Sequence, residues 1–70
     1  MPPVATHSEV AELERILDRI GLRAILRALS EIATEKELHI AENWQNYALA
    51  KLWARAANRL DKLGASISDL

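Results

Sequence analysis

Apolar residues recur every three or four positions along most of the chain, a spacing that gathers them on one face of an α-helix. The pattern runs from Val10 to Leu63. Pro2 and Pro3 precede it, and elsewhere only the two glycines strongly favour a helix end. Leu, Ala, Glu, Arg and Lys dominate the composition, as they do in helical proteins. The sequence therefore predicts an all-α fold.

Three helices are predicted, over residues 7–20, 22–42 and 47–63. Thr6 and Glu9 have the spacing of a capping box, which marks the start of the first helix. Asn46 is the predicted N-cap of the third helix. Gly64 is predicted to end the third helix, because a glycine is favoured just past a helix C-terminus. Residues 1–6 are then expected to form a flexible tail, and residues 64–70 a frayed one.

Gly21 decides how the first two helices are joined. It follows the last apolar position of the first helix, where a left-handed residue is least costly, and Leu22 could supply the hydrophobic contact of a Schellman motif. The short connections predict antiparallel neighbours. The fold expected is a small antiparallel three-helix bundle, or a kinked helical hairpin if Gly21 only bends the first helix.

A chain of 70 residues is near the lower limit for a single self-sufficient core. We therefore expect one domain that assembles with a second copy into a larger bundle, as a homodimer. Two surfaces could form the contact between copies. One is the apolar arc of the second helix from Ile32 to Leu26, and the other is the alanine-lined side of the third helix at Ala50 and Ala57.

Charge and composition disfavour several classes of function. The net charge of −1 provides no overall field that would attract nucleic acid or an anionic membrane. The absence of cysteine excludes disulfides and thiolate sites and suits a reducing compartment. No apolar run approaches the ~18 residues of a membrane span, and the first residues lack a basic leader region. A cytoplasmic protein is expected.

Catalysis is not predicted. A nucleophile needs a base and an orienting group, and the serines have no such setting. Neither glycine lies in a phosphate-binding motif. We expect no enzyme activity and no cofactor.

The stretch EKELHIAENWQN, residues 35–46, is the most chemically mixed part of the chain. Glu35, His39 and Glu42 are spaced i, i+4 and i+7, so a continuous helix would place them on one side, where they could hold zinc or a two-metal centre. Helical di-iron proteins use Glu-x-x-His from more than one helix, however, and this chain has that spacing only in reverse. The sequence favours a structural junction without metal.

Lys36, His39 and Trp44 are the predicted partner-binding residues. Lys36 falls within the apolar stripe of the second helix, so it must reach past its neighbours to water, pair with a carboxylate or face a partner, and the first alternative is favoured. Trp44 lies in the predicted loop. It either folds back over the end of the bundle or serves as an exposed anchor for a partner, and the first alternative is favoured.

The third helix is the basis of an alternative function, the binding of nucleic acid. It has four basic residues along one face, opposed by one acid: Lys51, Arg55, Arg59 and Lys62 against Asp61. Residues 1–46 carry eight acids and five bases, which favours charge matching between antiparallel helices of one chain. A helix-turn-helix is disfavoured because Arg27 occupies a position that should be apolar.

We predict a self-associating protein–protein interaction module, an adaptor, regulator or assembly subunit, with a nucleic-acid-binding accessory protein as the alternative.

Overall fold

A computed structural model describes residues 4–67 and contains, within that range, three α-helices and no strand. The helices are α1, His7–Ile20; α2, Leu22–His39; and α3, Tyr47–Ser66. A π-helical turn, Ile40–Trp44, continues α2 and is followed by two residues that lead into α3. The all-α prediction is confirmed. The predicted tail residues 1–3 and 68–70 lie outside the described residues.

Side-chain caps fix the starts of α1 and α3. The Thr6 hydroxyl accepts a 3.2 Å hydrogen bond from the Glu9 N–H, and the Thr6 N–H donates a 2.9 Å bond to the Glu9 carboxylate. The hydrogen bond from the Thr6 backbone N–H to the Glu9 carboxylate lowers the pKa of Glu9 below its ordinary value, and the Thr6 hydroxyl lowers it further. The Asn46 side chain accepts from the Leu49 N–H at 3.1 Å. Both caps have the residues predicted for them.

The C-terminal ends of α2 and α3 differ from prediction. α2 ends at His39 because the following turn widens to π geometry. α3 continues past Gly64 to Ser66, so Gly64 does not end the helix. Gly64 is buried against α2, and a Cβ placed on it would lie 3.7 Å from the Leu26 Cβ. It is a buried position inside the helix, with space for a methyl group.

α2 and α3 form an antiparallel hairpin along a row of mostly small residues. We call this row the seam; its members recur every seven residues, and all are buried: Leu26, Ala33 and Ile40 on one side, Ala50, Ala57 and Gly64 on the other. Small side chains let the two backbones approach closely. The Ser30 hydroxyl, also buried, reaches across to donate a 3.1 Å hydrogen bond to the Ala57 carbonyl. Ala50 and Ala57 are therefore covered within the chain, and the prediction that they could contact a second copy is wrong.

α1 does not join this hairpin. None of its residues is buried, and no Cα of α1 lies within 8 Å of a Cα of α3. The three-helix bundle is therefore not formed within one chain. The physical reason is the connection, since helices that fold back on each other are joined by about two to five residues and α1 is joined to α2 by Gly21 alone.

Gly21 separates the two helices in a conformation reserved for glycine. Its φ is 88° and its ψ is 160°. Positive φ was expected, but the extended ψ lies outside the left-handed helical region of a Schellman motif. The Gly21 N–H donates to the Leu17 carbonyl at 2.7 Å, and the Gly21 carbonyl accepts from the Ile25 N–H at 3.2 Å. The junction is thus hydrogen-bonded on both sides.

The two glycines should respond oppositely to alanine. Gly21→Ala should lower the free energy of unfolding by about 1–3 kcal/mol, because an L-residue is strained at this φ and ψ. Gly64→Ala should raise it by about 0.5–1 kcal/mol, because the position is helical and the added methyl meets Leu26 at an ordinary distance. Urea unfolding at one protein concentration measures both. A stabilised Gly21→Ala variant would show that α1 and α2 form one continuous helix.

Candidate interaction surface

One side of the hairpin is apolar. On α2, Ile25, Leu29 and Ile32 each come directly before a buried residue that faces α3, and on α3 Leu49, Ala56 and Leu63 each come directly before a seam residue. One residue turns the helix by about 100°, and in two antiparallel helices the positions preceding the buried row lie on the same side of the pair. We call these six residues the apolar face.

The opposite side of the hairpin is polar. The residues that directly follow the buried positions of α2 are Arg27, Glu31 and Thr34, and they line a shallow depression together with Asp61 of α3. Arg27 and Glu31 lie 3.9 Å apart, and both side chains are exposed. An exposed pair of this kind contributes little to stability. The hairpin is therefore amphipathic as a unit, with one side suited to water and one side suited to a further helix.

Three of the six residues of the apolar face are exposed, and the other three are half-buried. Leu29, Ile32 and Leu63 are all exposed, and Leu52 at its edge is 57% exposed. The accessible surface of the chain is 5937 Å², whereas a compact protein of this mass would expose roughly 4,400 Å². The radius of gyration is 13.8 Å, against about 11 Å for a compact chain of this length. The molecule exposes more surface than a self-contained domain of its size.

α1 carries a second uncovered apolar surface. Val10, Leu13, Ile16 and Ile20 lie on one side of the helix and are between 38% and 51% exposed. We call these four residues the α1 stripe. The amphipathic pattern predicted from the sequence is present, but none of the four residues is buried, and α3 lies away from the helix that carries them.

The candidate metal ligands Glu35, His39 and Glu42, which the sequence disfavours as a metal site, are not brought together in the described part of the chain. Within residues 4–67, no three histidine or acidic side chains come together closely enough to hold a metal ion. The π turn begins between His39 and Glu42 and changes the helical register that would have aligned them. The Asn43 amide donates to the His39 carbonyl at 3.0 Å and lies 3.1 Å from the His39 Nδ1. These bonds mark the stretch as the end of a helix.

The predicted partner-binding residues lie at the loop end of the hairpin and are exposed. Lys36 lies one turn after Ile32, at the border of the apolar face. Trp44 is 67% exposed and meets His39 edge-on, with ring centroids 6.2 Å apart. The favoured interpretation, in which Trp44 folds back over the bundle end, is wrong. With two helices at this end there is little apolar surface for an indole to cover.

The four basic residues of α3, Lys51, Arg55, Arg59 and Lys62, are all exposed. In the described part of the chain none of them lies within 4 Å of a carboxylate. The predicted charge matching with an acidic helix of the same chain is not made, because α1 lies away from α3. α1 has four acids against two bases and α3 has four bases against one acid, so net charges of −2 and +3 remain apart.

Comparison of the chain with protein-family models, curated proteins and solved structures finds no match. Within residues 4–67, none of the helices combines the length and the apolar content that crossing a bilayer requires. The candidate function therefore depends on the surfaces themselves. Sequence reasoning missed the apolar face as a unit, although the spacing of seven in Leu49, Ala56 and Leu63 was a signal for it.

The two tryptophans should differ in access to solvent. In a Trp53→Phe variant the emission of Trp44 should be quenched strongly by acrylamide, because its indole is exposed. In the matched Trp44→Phe variant the half-buried Trp53 should be quenched less. Stern–Volmer plots at one protein concentration measure both. Stronger protection of Trp44 than of Trp53 would contradict the exposed placement.

Proposed function

We propose that this protein is a small helical protein–protein interaction module that self-associates as a homodimer and acts as an adaptor, regulator or assembly subunit. The observation that carries the proposal is the pair of uncovered apolar surfaces, the α1 stripe and the apolar face, on a chain of 70 residues. Monomeric proteins rarely expose large contiguous apolar patches, and such patches mark contact sites.

The exposed area fits a contact between two proteins. The chain exposes about 1,500 Å² more than a compact protein of its mass, by the surface scaling used above. Each partner in an interface of standard size buries about 800 Å². The excess, counted over polar and apolar surface and over both ends of the chain, is larger than one such contribution. A second copy supplies a surface of the same chemistry without requiring a further partner.

The remaining features suit a binding role in the cytoplasm. The chain has no cysteine, so its association would be noncovalent and independent of redox state. The proposed module has no catalytic activity and takes no cofactor. Lys36, His39 and Trp44 lie around the loop end of the hairpin, where a further protein could contact them in the dimer.

Light scattering on a gel-filtration column should give a mass near twice 7.8 kDa at tens of micromolar. Ile16→Glu should shift the protein toward monomer, because it would bury a charge in the contact. Ala11→Glu is the matched control, since Ala11 is exposed on the other side of the same helix and should leave the mass unchanged. A wild-type mass near 7.8 kDa would reject self-association.

Nucleic-acid binding is the second candidate, and one observation favours it: the four basic residues of α3 are exposed without ion pairs in the described part of the chain. Fluorescence anisotropy with a labelled DNA duplex would decide between the candidates. Binding at physiological salt that falls steeply as salt rises, and that is lost when Lys51, Arg55, Arg59 and Lys62 become Gln, would establish it. We expect no specific binding.

A further inference from the structure

We propose that α1 is the docking element of the homodimer: the α1 of each copy lies on the apolar face of its partner, so that each hairpin becomes a three-helix layer completed by the other chain. This inference rests on the proposed self-association and specifies the surfaces that meet. The α1 stripe of one copy contacts the apolar face of the other, and the twofold axis repeats this contact. Both uncovered apolar surfaces of each copy are then covered.

The two surfaces match in character and length. α1 has 14 residues and is about 21 Å long at 1.5 Å per residue. On α3 the apolar face runs from Leu49 to Leu63, which is 15 residues and about 22 Å at the same rise. The depression on the polar side of the hairpin is lined by charged and hydroxyl-bearing residues, which suit the apolar side chains of the stripe poorly. The apolar face is therefore the part of the hairpin that α1 fits.

The connection at Gly21 favours a partner's hairpin over the chain's own. A single residue joins α1 to α2, and its N–H and its carbonyl are both held by helix hydrogen bonds. To fold back, α1 would need a loop of about two to five residues, so a turn of helix would have to unwind. Short hinges of this kind promote the exchange of elements between copies.

Charge supports the same contact. Glu12 and Glu14 flank Leu13 on the two sides of the α1 stripe, and Arg59 lies at the edge of the apolar face, four residues before Leu63. An acid therefore meets the basic helix whichever way α1 runs along the hairpin. The net charges of −2 on α1 and +3 on α3, which remain apart within one chain, would be brought together between chains.

The absence of native cysteine makes the contact testable by disulfide formation. A Leu13→Cys copy is mixed with an Ala56→Cys copy under mild oxidation. The control is Ala54→Cys, equally half-buried on α3 but on the polar side that includes Asp61. The Ala56 pair should crosslink at least about tenfold faster, because docking raises the effective concentration of the two thiols. Nonreducing electrophoresis measures the rate.

A second measurement uses the connection and does not depend on cysteine. Insertion of Gly-Asn-Gly-Ser after Gly21 gives α1 a loop long enough to reach its own hairpin. The mass should fall to that of one chain, with the helical circular dichroism retained. The same four residues inserted between Val4 and Ala5 should leave the dimer intact.

The outcomes separate this inference from the proposed function. If the wild type is a dimer but the Ala56 and Ala54 pairs crosslink equally and the insertion leaves a dimer, the copies meet through other surfaces, which overturns the inference alone. If the wild type is a monomer, both fail. If one chain carrying Leu13→Cys and Ala56→Cys forms an internal disulfide as a monomer, α1 covers its own hairpin, and both are again rejected.

Discussion

The close approach of α2 and α3 determines the rest of the structure. Small residues occupy the middle of the seam, at Ala33 and Ala57, and bring the backbones near enough for Ser30 to bond a carbonyl of the opposite helix. Large side chains enter the seam only toward its ends, at Leu26 and Ile40. Leu29 and Ile32 are therefore placed beside it, and the packing that joins the two helices also creates the exposed apolar face.

Gly21 imposes the second constraint. Because it alone connects α1 to α2, the apolar stripe of α1 is held away from the surface that would suit it within the chain. The structure thus contains the parts of a three-helix layer without assembling them in one copy. The same geometry explains why acidic α1 and basic α3 do not neutralise each other.

Features that depend on neighbours a few residues away were predictable from the sequence. The Thr6 and Asn46 caps and the positive φ of Gly21 follow from side-chain or backbone chemistry within one turn. The features that were missed depend on how helices meet. Gly64 resembles a helix end in sequence, but its burial against α2 is visible only once α2 is in place. The exposure of Trp44 likewise depends on the absence of a third helix at the hairpin end. The π turn, which misaligns the candidate metal ligands, is a local widening of the helix with no clear sequence signal.

The exposed stripe of α1 has a consequence for how long the protein survives. A helix of 14 residues with no buried residue is marginal in water, and here the Thr6 capping box supports its first turn. An unpaired copy would therefore open first at α1, where Arg15 and Arg19 offer cleavage sites to a trypsin-like protease. Covering α1 with a second copy would suppress that opening by mass action, so the lifetime of each molecule would rise with the amount of the protein present.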